Sequence, residues 1–147
     1  MKKLLSSALS LTALAATAFA DTPMADIRTH AGHVQRGSEQ VMLLLKAKQL
    51  DAQAIREKIA STGGNIENLQ RLVTGMETAN PQFLPLAGKD WDLLKLQVQL
   101  LSISHNNKHV LANADDVKKN RSLLQAQAKG VAQRAGLLEK TAERLQR

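Results

Sequence analysis

Four histidines fall in two pairs, His30 with His33 and His105 with His109. Spacings of three and four residues set two side chains on one face of an α-helix. Each pair therefore offers two imidazole nitrogens to one divalent metal, provided a carboxylate or another group completes the set. The plain alternative is a solvated or locally hydrogen-bonded imidazole, and His105, which continues an apolar pattern, reads as a satisfied core histidine before a ligand. In a bundle with parallel first and third helices, His30 falls early in its helix and His105 late in its own. At about 1.5 Å per residue the two pairs would lie roughly 15 Å apart, so one four-histidine site is not expected.

Two arginines stand out for a different chemistry. Arg121 sits among apolar positions at helical spacing, and a buried guanidinium has to be paired or bound to an anion. At the edge of that face it would instead be exposed or paired. Arg36 lies in the stretch from Asp26 to Lys48 with His30, His33, Gly32 and Gly37, ahead of the apolar run from Val41 to Leu45. The first half of that stretch has the composition of a site and the second half that of a core. Met24, Met42 and Met76, with the histidines, could supply axial ligands to a haem, although helical methionines commonly fill cores. The sequence has no glycine-rich phosphate loop, nucleophile elbow, HExxH or apolar-face carboxylate dyad. A non-enzymatic protein is therefore expected, and nothing calls for a cofactor.

These residues must be carried by helices, because helical periodicity runs almost throughout. Ile27, Ala31, Val34, Ser38, Val41, Leu44 or Leu45 and Lys48 approximate a three-four stripe on the first. Asp51 is placed to cap a second helix entering at Ala52, whose stripe is Ile55, Ile59, Thr62, Ile66, Leu69, Val73 and Met76. The stripe keeps phase across Gly63 and Gly64, which favours one bent helix over two. Asn80-Pro81 ends it, and the segment through Asp90 reads as a loop with Phe83, Leu84 and Leu86 over one end of the core. A third helix should begin near Lys89 or Asp90. Its seam would be Trp91, Leu94, Val98, Leu101 and His105, widened by Leu93, Leu96, Leu100 and Ile103. Asn113 or Asp115 could cap a fourth helix, with the seam Val117, Arg121, Leu124, Ala128, Val131, Ala135, Leu138, Ala142 and Leu145. Four amphipathic helices with short connections predict an all-α, antiparallel up-down-up-down four-helix bundle.

Composition sets the surroundings. Lys2 and Lys3, an apolar run from Leu4 to Phe19, and Ala18 and Ala20 before Asp21 form the pattern of a secretory leader, with cleavage expected after Ala20. Residues 1–20 would then be a signal peptide and residues 21–147 one bundle domain, soluble in the periplasm without stable membrane insertion. Removing two lysines from 20 basic residues, against 13 acidic ones, leaves an excess of five positive charges spread along the chain. One Trp, two Phe and no Tyr leave few rings for base stacking, so nucleic acid is not an expected partner. With no cysteine, stability has to come from buried aliphatic side chains.

AGHVQRGSEQ at residues 31–40, ENLQRLVTG at 67–75, the isolated Trp91 and KKNRSLLQAQ at 118–127 together resemble the N-terminal domain of type IV pili methyl-accepting chemotaxis transducers, a PilJ-type sensor bundle related to nitrate-sensor modules. The resemblance spans the mature chain. It implies an extracytoplasmic four-helix sensor, often dimeric, that binds a small ligand or an envelope or pilus protein. Arg36 matches the first-helix arginine that contacts the anion in the nitrate-sensing relatives. His30, His33, Gln40 and Arg121 join it as candidate ligand-facing positions from the residue pattern alone, as polar or basic residues near or on apolar seams. Val41 stands where that pattern has a second arginine. No flanking membrane helix or signalling module accompanies the pattern here, so binding without inward transmission is the expectation.

Overall fold

A computed structural model of the chain describes the backbone of residues 2–79 and 89–147 and the side chains of residues 23–76 and 91–147. The described residues form four helices and no strand: α1 (Lys2–Lys46), α2 (Ala52–Ala79), α3 (Lys89–Asn113) and α4 (Arg121–Gln146), with a short 3-10 turn, Ala114–Asp116, between the last two. α1 packs on α2 and α4, and α3 packs on α4 and more sparsely on α2. The expected signal segment, residues 1–20, lies outside the residues whose side chains are described, and so does the expected lid of Phe83, Leu84 and Leu86. No described helix is long and apolar enough to cross a membrane.

The stripes of α1, α2 and α4 form the core as their spacing requires. Ile27, Ala31, Val34, Val41 and Leu45 of α1 are buried against Ile55, Ile59, Ile66, Leu69 and Val73 of α2 and against Leu124, Ala128, Val131, Ala135, Leu138 and Ala142 of α4. Met24 is buried, and Met42 and Met76 pack partly buried on the same core, which is the gap-filling use of methionine. At mid-bundle, between Val41, Ile59, Val110 and Val131, only about 10 Å³ is open, roughly the space of one water.

Three helix ends differ from their sequence-based placement. α1 starts at Lys2 and runs through Pro23 rather than starting at Asp26, since the alanine- and leucine-rich run before Pro23 has high helix propensity. It stops at Lys46, which leaves Lys48 exposed beyond its end. The fourth helix does not follow a cap at Asn113 or Asp115. Asp116 Oδ1 instead accepts the backbone N–H of Lys119 at 3.0 Å, a side-chain turn that delays the helix to Arg121. The turn before α2 is as expected: Asp51 Oδ1 accepts the Ala54 N–H at 3.0 Å, satisfying an orphan donor of the first turn. α2 itself is continuous through Gly63 and Gly64.

α3 departs most from the sequence reading. Leu96, Leu100, Ile103 and Val110 are its buried positions, whereas Trp91, Val98 and Leu101 are 53, 55 and 70 % exposed. His105 is exposed and Leu94 is half-buried. The residues expected to widen the seam are the core, and the expected seam faces solvent. Spacing alone joins the two stripes into one wide apolar face, and the structure separates them. Burial went to the one whose branched aliphatic chains meet α4 and α2, leaving the wide Trp91 ring and the His105 imidazole outside.

Candidate functional site

The expected ligand residues separate onto three parts of the surface. Arg36 is exposed and lies over Gly32, beside the Glu139 carboxylate of α4. A Cβ on Gly32 would sit 3.2 Å from Arg36 Nη1 and 3.4 Å from Glu139 Oε1. Without that Cβ, the groove between α1 and α4 stays open, with about 300 Å³ lined by Arg28, Thr29, Gly32, Arg36, Glu139 and Gln146. Among the described ion pairs, none involves Arg28, Arg36 or Glu139. The groove therefore holds two cations against one anion in full contact with solvent.

His30 turns the other way, toward α2. Its Nδ1 shares a 2.9 Å hydrogen bond with Asn65 Oδ1. Asn65 Nδ2 donates to Ser61 O at 3.2 Å, which orients the amide with its oxygen toward the ring. His30 Nδ1 is thereby assigned as the donor, leaving Nε2 as the acceptor. His33 is exposed, with its ring centroid 6.2 Å from that of His30 in an edge-on arrangement. Gln40 is exposed, one turn beyond Arg36.

Arg121 is at a different level of the molecule, nine residues of α1 away from Arg36, or about 14 Å along the helix. Its Nε donates to Leu45 O at 2.6 Å and its Nη2 to Ala47 O at 2.9 Å. These are carbonyls that α1 leaves without partners at its C-terminus, and a guanidinium satisfies two of them and complements the helix dipole. Arg56 of α2 does the same for the 3-10 turn that follows α3, donating from Nε to Ala114 O at 3.1 Å and from Nη2 to Asp115 O at 2.8 Å. Arg121 is thus a fastening residue of the α1 end, held away from the Arg36 groove.

His105 and His109 are both exposed on the outer side of α3, with ring centroids 4.7 Å apart and Nε2 atoms 3.3 Å apart. Among the described residues, no three His, Asp or Glu side chains come together as a metal-ligating group. Sequence reasoning missed Arg28, Asn65, Glu139 and Arg56. Arg28 was visible about two helical turns before Arg36, but the others act across helices, and no spacing within one helix reports that.

No family model matches the chain, and neither a curated protein nor a solved structure matches it.

Proposed function

We propose that this chain is an antiparallel up-down-up-down four-helix bundle, released into the periplasm by cleavage after Ala20, which acts without catalysis as a PilJ-type, sensor-like module that docks an envelope or pilus protein. The alternating helix direction is supported by cross-helix partners whose numbers rise on one helix as they fall on the next. Asn113 reaches Gln127 while Asp92 reaches Arg144, and a Cβ on Gly37 would meet Thr62 while His30 meets Asn65.

The docking reading rests on the outer stripe of α3. A helix that is apolar on one face lies on a surface, and one apolar on opposite faces is stable when both are covered. Leu96, Leu100 and Ile103 face the core, while Trp91, Val98 and Leu101, the last 70 % exposed, repeat at seven- and three-residue spacing on the opposite side. That is the a/d spacing at which a second helix packs its side chains between those of the first.

A photocrosslinking amino acid at Val98, in cells expressing the full chain, tests the reading. A discrete adduct is expected from position 98, lost when Leu101→Glu is added and absent with the crosslinker at exposed Glu57 of α2. An adduct of twice the chain mass would identify a homodimer as the docked state. No adduct at 98, or one equally strong at 57, would refute docking on α3.

The α1–α4 groove favours a second reading, a small anion held by Arg36 and Arg28. The missing Cβ of Gly32 opens the groove, and the two guanidiniums outweigh Glu139. Exposure to solvent keeps such an ion weakly held.

A further inference from the structure

The geometry points to a zinc-class divalent metal site on α3, chelated by His105 Nε2 and His109 Nε2. The two nitrogens are 3.3 Å apart. With metal–nitrogen bonds of about 2.0–2.1 Å, a tetrahedral angle spans about 3.3 Å between the two nitrogens, and a square-planar right angle about 2.9 Å. The pair therefore already stands at the edge length of a tetrahedral site, and binding asks for no backbone movement. The rings meet edge-on at 79°, with the two Nε2 atoms facing each other rather than the rings stacked face to face.

The surroundings support a chelate of two protein ligands. Neither ring has a described hydrogen-bond partner other than its pair-mate, so the Nε2–Nε2 hydrogen bond, whose proton moves to Nδ1 or leaves, is the one described contact that a metal would replace. Both side chains are exposed, which opens an entry path and leaves the other two tetrahedral positions to water or an incoming group. With a single protein face supplying two nitrogens and no carboxylate, the preference is for metals that accept imidazole over hard oxygen-seeking ions such as Mg²⁺ and Ca²⁺.

The other histidine pair lacks this arrangement. Its ring centroids are 6.2 Å apart, and His30 is turned to Asn65 of α2. A metal bound by His30 and His33 would have to draw the rings together first. The inference is therefore specific to one pair and stands apart from docking on the α3 stripe, although His105 lies one turn beyond Leu101 on the same outer face.

Zinc chloride titrated calorimetrically into the untagged full chain at neutral pH tests the site. One saturable zinc ion per chain is expected, with affinity falling at least tenfold in His105→Ala and in His109→Ala and staying unchanged in His30→Ala. Cobalt(II) should give the visible absorption of a tetrahedral site, lost in the same two variants, and calcium should give no heat. Because imidazole must be deprotonated to coordinate, binding should weaken as the pH is lowered. Helical circular dichroism of each variant checks that the fold is intact, and both positions are exposed. No saturable zinc binding, or undiminished affinity in folded His105→Ala, overturns the site, as does loss of binding in His30→Ala.

Discussion

Gly37→Ala should destabilise the bundle although it adds a better helix former. In an exposed helix the change would gain about 1 kcal/mol. At Gly37 the added Cβ would collide with the Thr62 hydroxyl of α2 and come within 3.4 Å of Thr62 Cβ. Thr62 is 5 % exposed, and its hydroxyl donates to Lys58 O at 2.8 Å, so the side chain is held from its own helix and has no room to withdraw. Forcing one extra carbon into such a contact costs about 1–3 kcal/mol. Since that penalty would have to exceed the propensity gain, a net loss of about 1 kcal/mol is expected, or roughly 4 °C in melting temperature for a domain of this size.

The comparison that isolates the contact is Gly64→Ala, because nothing lies within 4 Å of a Cβ there. That change should stabilise by about 1 kcal/mol. Adding Thr62→Ala to Gly37→Ala removes the obstructing hydroxyl, so the double variant should be more stable than the sum of the two single changes, with a coupling of about 1–2 kcal/mol. Urea unfolding followed by circular dichroism measures the parent and the four variants. If Gly37→Ala raises the midpoint as Gly64→Ala does, or the double-mutant coupling is zero, α1 and α2 do not meet at Gly37, and the reasoning fails.

Arg121→Ala should cost about 1–2 kcal/mol in urea unfolding, because two charge-assisted bonds to the C-terminal carbonyls of α1 disappear. It should leave nitrate heats in calorimetry unchanged, whereas Arg36→Ala should abolish any that are present. Leu101→Glu should leave the unfolding midpoint within about 0.5 kcal/mol of the parent, while Leu100→Ala, one position away on the buried face, should cost about 2–5 kcal/mol.

Much of the fold is legible in the sequence because it is local. Asp51 sits before its helix with a hydroxyl-free acceptor at the right offset for the Ala54 N–H, and Ile55 through Met76 keep a three-four rhythm that only one face of a helix can produce. The rhythm identifies residues that share a face but does not say which face is inward. α3 carries two such faces, and spacing alone joins the set from Trp91 to His105 with the set from Leu93 to Ile103 as one wide apolar face. The delayed start of α4 was equally invisible, because Asp116 competes for the backbone through its own side chain, and its carboxylate could as well have capped a helix one turn earlier.

The candidate site was legible as residue types and not as an arrangement. His30, His33, Arg36 and Gln40 are neighbours in sequence, yet a helix turns about 100° per residue, and α1 gives His30 to Asn65 of α2 and Arg36 to the groove beside Glu139 of α4. Arg121, whose place in an apolar pattern calls for a paired or exposed guanidinium or a bound anion, finds its partners in the carbonyls of Leu45 and Ala47. That difference bears on function. A guanidinium fixed by two backbone acceptors resists displacement by a solute, whereas Arg36, exposed and without a described ion pair over a glycine, has little to lose on accepting one. The residue in an apolar pattern became structural, and the one in the weakly packed, glycine-containing half of its helix kept its charge available. In this bundle, then, availability for binding follows from what each side chain leaves unsatisfied, and on that criterion Arg36 and the His105–His109 pair stand ahead of Arg121 and His30.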